Sequence, residues 1–221
     1  MSDTAAGERA PRGRLVVGAL ILAVLLATGG FLVGRLSAPG IATPSSESAA
    51  AGFLRDMQVH HAQAVEMALL IRDKTDDPGL RLLAYDIATG QSAQLGRMYG
   101  LLEAWGLPQA SPHPPMTWMS QPVIDGSDGD EHGDMDAGAG PGAMPGMATA
   151  EQLSELRAAT GVDAERLFLT LMIEHHRGGL DMAEAVLARS TVPQVLSLAD
   201  GIVFSQTSDI SAMEGMLEAR G

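Results

Sequence analysis

The side chains best suited to chemistry in this sequence are imidazoles and thioethers. Four of its six histidines form two adjacent pairs, His60-His61 and His175-His176, and methionines bracket each pair. The first stretch reads Met57-x-x-His60-His61-x-x-x-x-x-Met67. The second, Met172-x-x-His175-His176-x-x-x-x-x-Met182, repeats it 115 positions later (172 − 57). Imidazole nitrogen with thioether sulfur, and no carboxylate, is a donor set that suits copper, Cu(I) in particular, over Mg, Ca or Mn. The chain has no cysteine, which excludes thiolate sites, disulfides and a lipidated cysteine anchor.

A helix carrying the first motif sets where these donors point. With Met57 at zero, Phe53, His60, Ala64 and Met67 fall between about 280° and 340°, and Leu54, His61 and Ala68 between about 20° and 80°. The histidines therefore straddle an apolar face, while Glu66, and Glu174 and Asp181 in the second copy, fall on the opposite, solvent side. Small residues, Ala64 and Gly179, hold the centre of each face and leave room between helices for something other than a side chain. Adjacent side chains diverge by about 100°, so one helix offers one histidine to a given ion. His60 and His175, nearest Met67 and Met182, are the expected ligands, with His61 and His176 as hydrogen-bonding neighbours. Gln91 and Gln206 interrupt the apolar stripes of the following helices and are the expected outer-shell acceptors for imidazole N–H. Packed face to face, the two halves would bring His60, His61, His175 and His176 into one central layer with Met57, Met67, Met98, Met172, Met182 and Met213, able to hold Cu(I) or Cu(II).

The register of the repeat extends well beyond the motif. Phe53, Pro78, Gln91, Met98 and Gly106 recur without a gap as Phe168, Pro193, Gln206, Met213 and Gly221. The expected fold is all-α, a helical hairpin duplicated into a four-helix bundle over residues 51–221, with hairpins at 51–106 and 149–221. The first helix is expected to begin near Ser46 and end near Lys74. Asp77 then caps a second helix that opens at Pro78 and ends at Gly106. Thr149 to Gln152 form a capping box for a short helix, Asp163 is the expected cap of the third long helix, and Pro193 opens the fourth. Residues 107–148 lose all periodicity and are expected to form a flexible Met-, Asp- and Gly-rich crossover. Its His113, Met116, Met119, His132, Met135, Met144 and Met147, among acidic residues, could collect metal ions loosely or serve as a solvated linker.

Ahead of this body, residues 1–14 carry three arginines, residues 15–36 form a nearly unbroken apolar run, and residues 37–50 are a Ser/Pro/Ala linker. About 20 apolar residues span a bilayer, and the arginine bias favours a cytoplasmic N-terminus with an extracytoplasmic C-terminal domain on a single-pass anchor. The alternative is a cleaved signal peptide, whose apolar core is usually about 7–15 residues.

The net charge of −13 argues against nucleic-acid binding. The chain lacks the Glu-x-x-His pairs of di-iron bundles, a Gly-x-Ser-x-Gly elbow and a thiol nucleophile, so nothing in it supports enzymatic activity. Three functions remain: a copper-binding protein for sequestration or delivery, a structural module, such as an accessory subunit of a membrane complex, whose His/Gln layer fixes helix register, or metal-dependent redox catalysis, which needs an open coordination position.

With the doubled motif in hand, Phe53-x-x-x-Met57-x-x-His60-His61 and its copy from Phe168 to Met182, the chain resembles the family known as domain of unknown function 305 over about residues 50–221. The resemblance implies ferritin-like helical bundles, some of them exported and connected with copper binding or tolerance. All of that family's His and Met motif positions are present here, but Arg177-Gly178-Gly179 follows the second pair, and two glycines weaken a helix locally.

Overall fold

A computed structural model describes residues 11–37, 43–124 and 144–221 of the chain, and every secondary-structure element among them is helical. Two compact units divide it, residues 1–43 and 44–221.

The first unit holds helix α1, Pro11–Ser37. Its segment Val16–Gly34 has a mean hydropathy of 2.6 and is long and apolar enough to cross a membrane. The hydroxyl of Thr28 donates to the Val24 carbonyl at 2.6 Å, so this polar group is satisfied inside the helix.

The second unit contains α2 (Ala49–Lys74), α3 (Pro78–Ala104), a 3₁₀ turn (Thr117–Ser120), α4 (Ala150–Ala158), α5 (Gly161–Arg189) and α6 (Pro193–Glu218). Helix α2 begins later than Ser46 because Ser48 is the cap, its side chain accepting from the Ala51 N–H. Asp77 caps α3 as expected, accepting from Gly79 and Leu80, and Thr149 with Gln152 completes a capping box at α4. The expectation for α5 needs correcting. Thr160 stands at its cap position without a side-chain bond, and Asp163 lies inside the first turn, where its charge faces the positive end of the helix dipole.

Helix α2 packs on α3, α5 packs on α6, and α2 against α5 forms the central seam. Met57 shares an apolar cluster with Met182, while Met67 shares a second cluster with Met172. Helices α2 and α5 therefore cross antiparallel, and the repeat axis passes between the two clusters.

The described flanks of the crossover are seated on this core. Trp118 is buried with its ring edge-on to Phe53 at 5.8 Å. The Asp56 carboxylate accepts from the Trp118 indole at 2.9 Å and from the Met116 N–H at 2.7 Å. Burial pushes the Asp56 carboxyl above its usual range, and the two donors oppose that shift. His132, Met135 and the acidic run around them lie outside the described residues. A Cβ on Gly52 would come within 2.5 Å of Trp118. Gly52→Ala should therefore dislodge the indole and cost about 1–3 kcal/mol of stability. Urea unfolding followed by tryptophan fluorescence will measure this, and an unchanged midpoint with an unchanged emission maximum would contradict it.

Candidate metal centre

All four motif histidines are completely buried, as are Met57, Met67, Met98, Met172, Met182 and Met213. The sequence places each pair astride an apolar helix face, and the antiparallel crossing of α2 and α5 brings those faces together. The His60 and His175 rings meet across the seam with centroids 3.8 Å apart. His61 lies 6.5 Å from His60, and His176 lies 6.3 Å from His175. The four rings thus form a run with His61 and His176 at its ends.

Hydrogen bonds fix the tautomers. His60 Nε2 is 3.1 Å from the Pro145 carbonyl, His61 Nε2 is 2.7 Å from Gln94 Oε1, and His176 Nε2 is 3.4 Å from Asp209 Oδ2. Carbonyl and carboxylate oxygens only accept, so each of these Nε2 atoms carries the hydrogen and donates it. On His60 and His61, which burial keeps neutral, Nδ1 is then a bare lone pair, and the Nδ1 of His176 is likewise buried and without a hydrogen-bond partner. The His175 ring has no well-formed hydrogen bond at either nitrogen.

Gln91 and Gln206 are buried where expected, but they do not perform the expected task. Neither amide has a hydrogen-bond partner. The imidazole N–H groups of His61 and His176 are instead met one helical turn later, by Gln94 and Asp209. The repeat itself carried that signal, since these two occupy equivalent positions (209 − 94 = 115). The room beside Gly179 is also filled, because a Cβ there would meet Gln206 Oε1 at 2.4 Å. The six methionines fall into two groups. Met57, Met98 and Met182 belong to one apolar cluster and Met67, Met172 and Met213 to the other.

Among the described residues, every buried side-chain nitrogen or oxygen left without a hydrogen bond belongs to His60, His61, His175, His176, Gln91 or Gln206. Folded proteins pair nearly all such atoms, so their restriction to these four histidines and two glutamines is unusual. No group of three His, Asp or Glu side chains among the described residues could hold an ion by itself. Imidazole combined with thioether is the donor set available.

A strap from Met144 to Thr149 closes over this layer. Gln63 holds it through both backbone groups of Ala148, at 2.7 and 2.9 Å. A Cβ on Gly178 would meet the Pro145 carbonyl at 2.1 Å, and Gly146, at φ +71°, lies as tightly against the Glu174 carbonyl. The glycine that weakens α5 is thus required by the strap that binds His60. Gly178→Ala should lift the strap and destabilise the body by roughly 1–3 kcal/mol. Hydrogen exchange at Ala148, whose N–H Gln63 holds, should then accelerate, and wild-type protection there would refute the close-packing account.

Burial lowers the pKa of His60 to about 4 and of His61 to about 3, and holds His175 well below its ordinary value. At neutral pH these rings are uncharged. The folded pKa values lie below the unfolded 6.5, so the unfolded chain binds protons that the native layer refuses. Stability of the metal-free protein is therefore full above about pH 6.5 and declines as pH falls toward 4 and 3, by up to about 1.4 kcal/mol per pH unit for each ring. Urea unfolding at pH 7.5, 6 and 5 measures the slope. A flat profile across that interval would contradict neutral burial.

Sequence and fold comparisons bear on this arrangement. The family model described as domain of unknown function (DUF305) matches residues 50–217. A DUF305 protein from Streptomyces coelicolor, described as secreted, is 46% identical, with a TM-score of 0.69 over 80% of this chain and 96% of its own. A DUF305 fragment from Deinococcus radiodurans is 32% identical, with a TM-score of 0.60 over 77% of this chain and 96% of its own. CopM in its Cu(I)-bound form is 21% identical and has the same fold, with a TM-score of 0.54 over 76% of this chain and 94% of its own. No curated protein matches the chain.

Proposed function

This chain belongs to the DUF305 family, and we propose that its helical body is an extracytoplasmic copper-binding domain, anchored to the membrane by α1 and serving to sequester or deliver the ion. The observation that carries this reading is the set of orphaned Nδ1 lone pairs on rings whose Nε2–H is already committed. A ligating histidine is normally held in this way, one nitrogen donating to an outer-shell oxygen and the other free for metal. Burial keeps His60 and His61 neutral, so an ion need not displace a proton from their Nδ1 atoms. The thioethers on either side favour a soft ion, and no inward carboxylate set favours a hard one. His60 and His175 at the seam, His61 and His176 at the ends, and sulfur from the flanking methionines would hold copper. CopM, which shares the fold, has been solved in Cu(I)-bound, Cu(II)-bound and silver-bound forms. The arginine bias around α1 and the secreted description of the Streptomyces relative support an exported body.

The alternative, a polar layer that only sets helix register, accounts for the Gln94 and Asp209 contacts but not for the unpaired nitrogens. Titration of the full-length protein with Cu(I) against a competing chelator separates the two. Copper at a hundred times its dissociation constant should raise the unfolding free energy by about 2.7 kcal/mol. Replacing His60, His61, His175 and His176 together by Ala should weaken binding by roughly a hundredfold or more. Affinity unchanged in that variant would sink the site assignment.

A further inference from the structure

The repeat places the two ends of the imidazole run in equivalent positions, each ring with one acceptor from the following helix, and the acceptors differ in charge. At position 94 the outer-shell acceptor is a neutral amide, and at the equivalent position 209 it is a carboxylate. The Asp209 side chain is 28% exposed, while the His176 ring it faces is fully buried. No arginine or lysine forms an ion pair with Asp209 among the described residues. Its charge is therefore available to the ring and to whatever the ring holds.

We propose that this difference makes the ends of the run chemically distinct: Asp209 tunes the His176 end toward copper(II), and Gln94 leaves the His61 end to copper(I). The inference rests on the copper-binding reading above. Both acceptors orient their ring in the same tautomer, with Nδ1 free, so orientation does not distinguish them. Charge does. A carboxylate receiving Nε2–H increases electron donation at Nδ1 and places a full negative charge one ring away from the ion. A doubly charged ion gains about twice the Coulomb energy of a singly charged one at the same distance, so the carboxylate favours the oxidised state. Asp209 acts through His176 and is a positioning residue rather than a ligand.

The test is the ratio of copper(II) to copper(I) affinity, from competition titrations of the full-length protein in each oxidation state. Asp209→Asn and Gln94→Glu are isosteric exchanges of charge, and circular dichroism checks that each folds. Asp209→Asn should weaken copper(II) about 10- to 100-fold, in the range of outer-shell losses. Copper(I) should lose about half as much free energy, so the ratio falls by about three- to tenfold, and a tenfold fall raises the potential of the bound ion by about 59 mV. Gln94→Glu should move the ratio at the other end in the opposite direction. If Asp209→Asn weakens both oxidation states equally, Asp209 is only structural and the inference falls. If wild type binds copper and neither variant moves the ratio, the inference falls while the copper reading stands. If wild type binds no copper, both fall. Should Gln94→Glu fail to fold, Asp209→Asn alone decides.

Discussion

Burying four imidazoles in one dry layer is the constraint on which the rest of the body depends. A cation at His60, His61 or His175 would lose its hydration, so burial holds these three rings neutral. A neutral imidazole has one donor and one acceptor, and each N–H needs an oxygen in the interior. Three different elements supply those oxygens: α3 through Gln94, α6 through Asp209, and the strap through Pro145. The central seam of α2 and α5 is therefore held by the outer helices and by a loop, and none of these can move far without stranding a buried N–H.

The strap shows how loop and helix depend on each other. Two glycines in mid-helix, 178 and 179, look like a defect, because each costs about 1 kcal/mol of helix propensity relative to alanine. Their surroundings explain them. Gly178 lies under the Pro145 carbonyl and Gly179 under the Gln206 amide, closer than any Cβ allows. Glycine at 178 lets the strap close over the layer, and glycine at 179 leaves room for the Gln206 side chain. Trp118 and Gly52 make the same exchange on α2, where the other flank of the crossover is pinned.

Duplication explains the symmetric parts, and the polar contacts mark its limits. Apolar positions keep the repeat closely, Phe53 with Phe168, Met98 with Met213 and Ile87 with Ile202, because both hairpins must bury the same face. Polar partners do not. Gln94 faces Asp209 across the symmetry, and His60 meets a carbonyl while His175 has no hydrogen bond. An apolar contact tolerates little change in volume. An outer-shell acceptor can be exchanged for one of similar shape and different charge without disturbing the packing.

Much of this was legible in the chain. The 115-residue repeat, the 3.6-residue spacing and the Asp77-Pro78 and Thr149-to-Gln152 signals determined helices, caps and the inward direction of all four histidines, because those follow from local geometry and burial. The acceptor of each ring was not legible. Gln91 and Gln94 both lie within reach of an inward face, and which one meets His61 depends on the crossing angle and axial offset of α2 against α3. The same offsets divide the methionines between two clusters and bring Pro145, 85 positions away, onto His60. Sequence periodicity decides which face of a helix is buried, but only the packed structure decides what each buried atom meets, since those distances are set between helices and not along them.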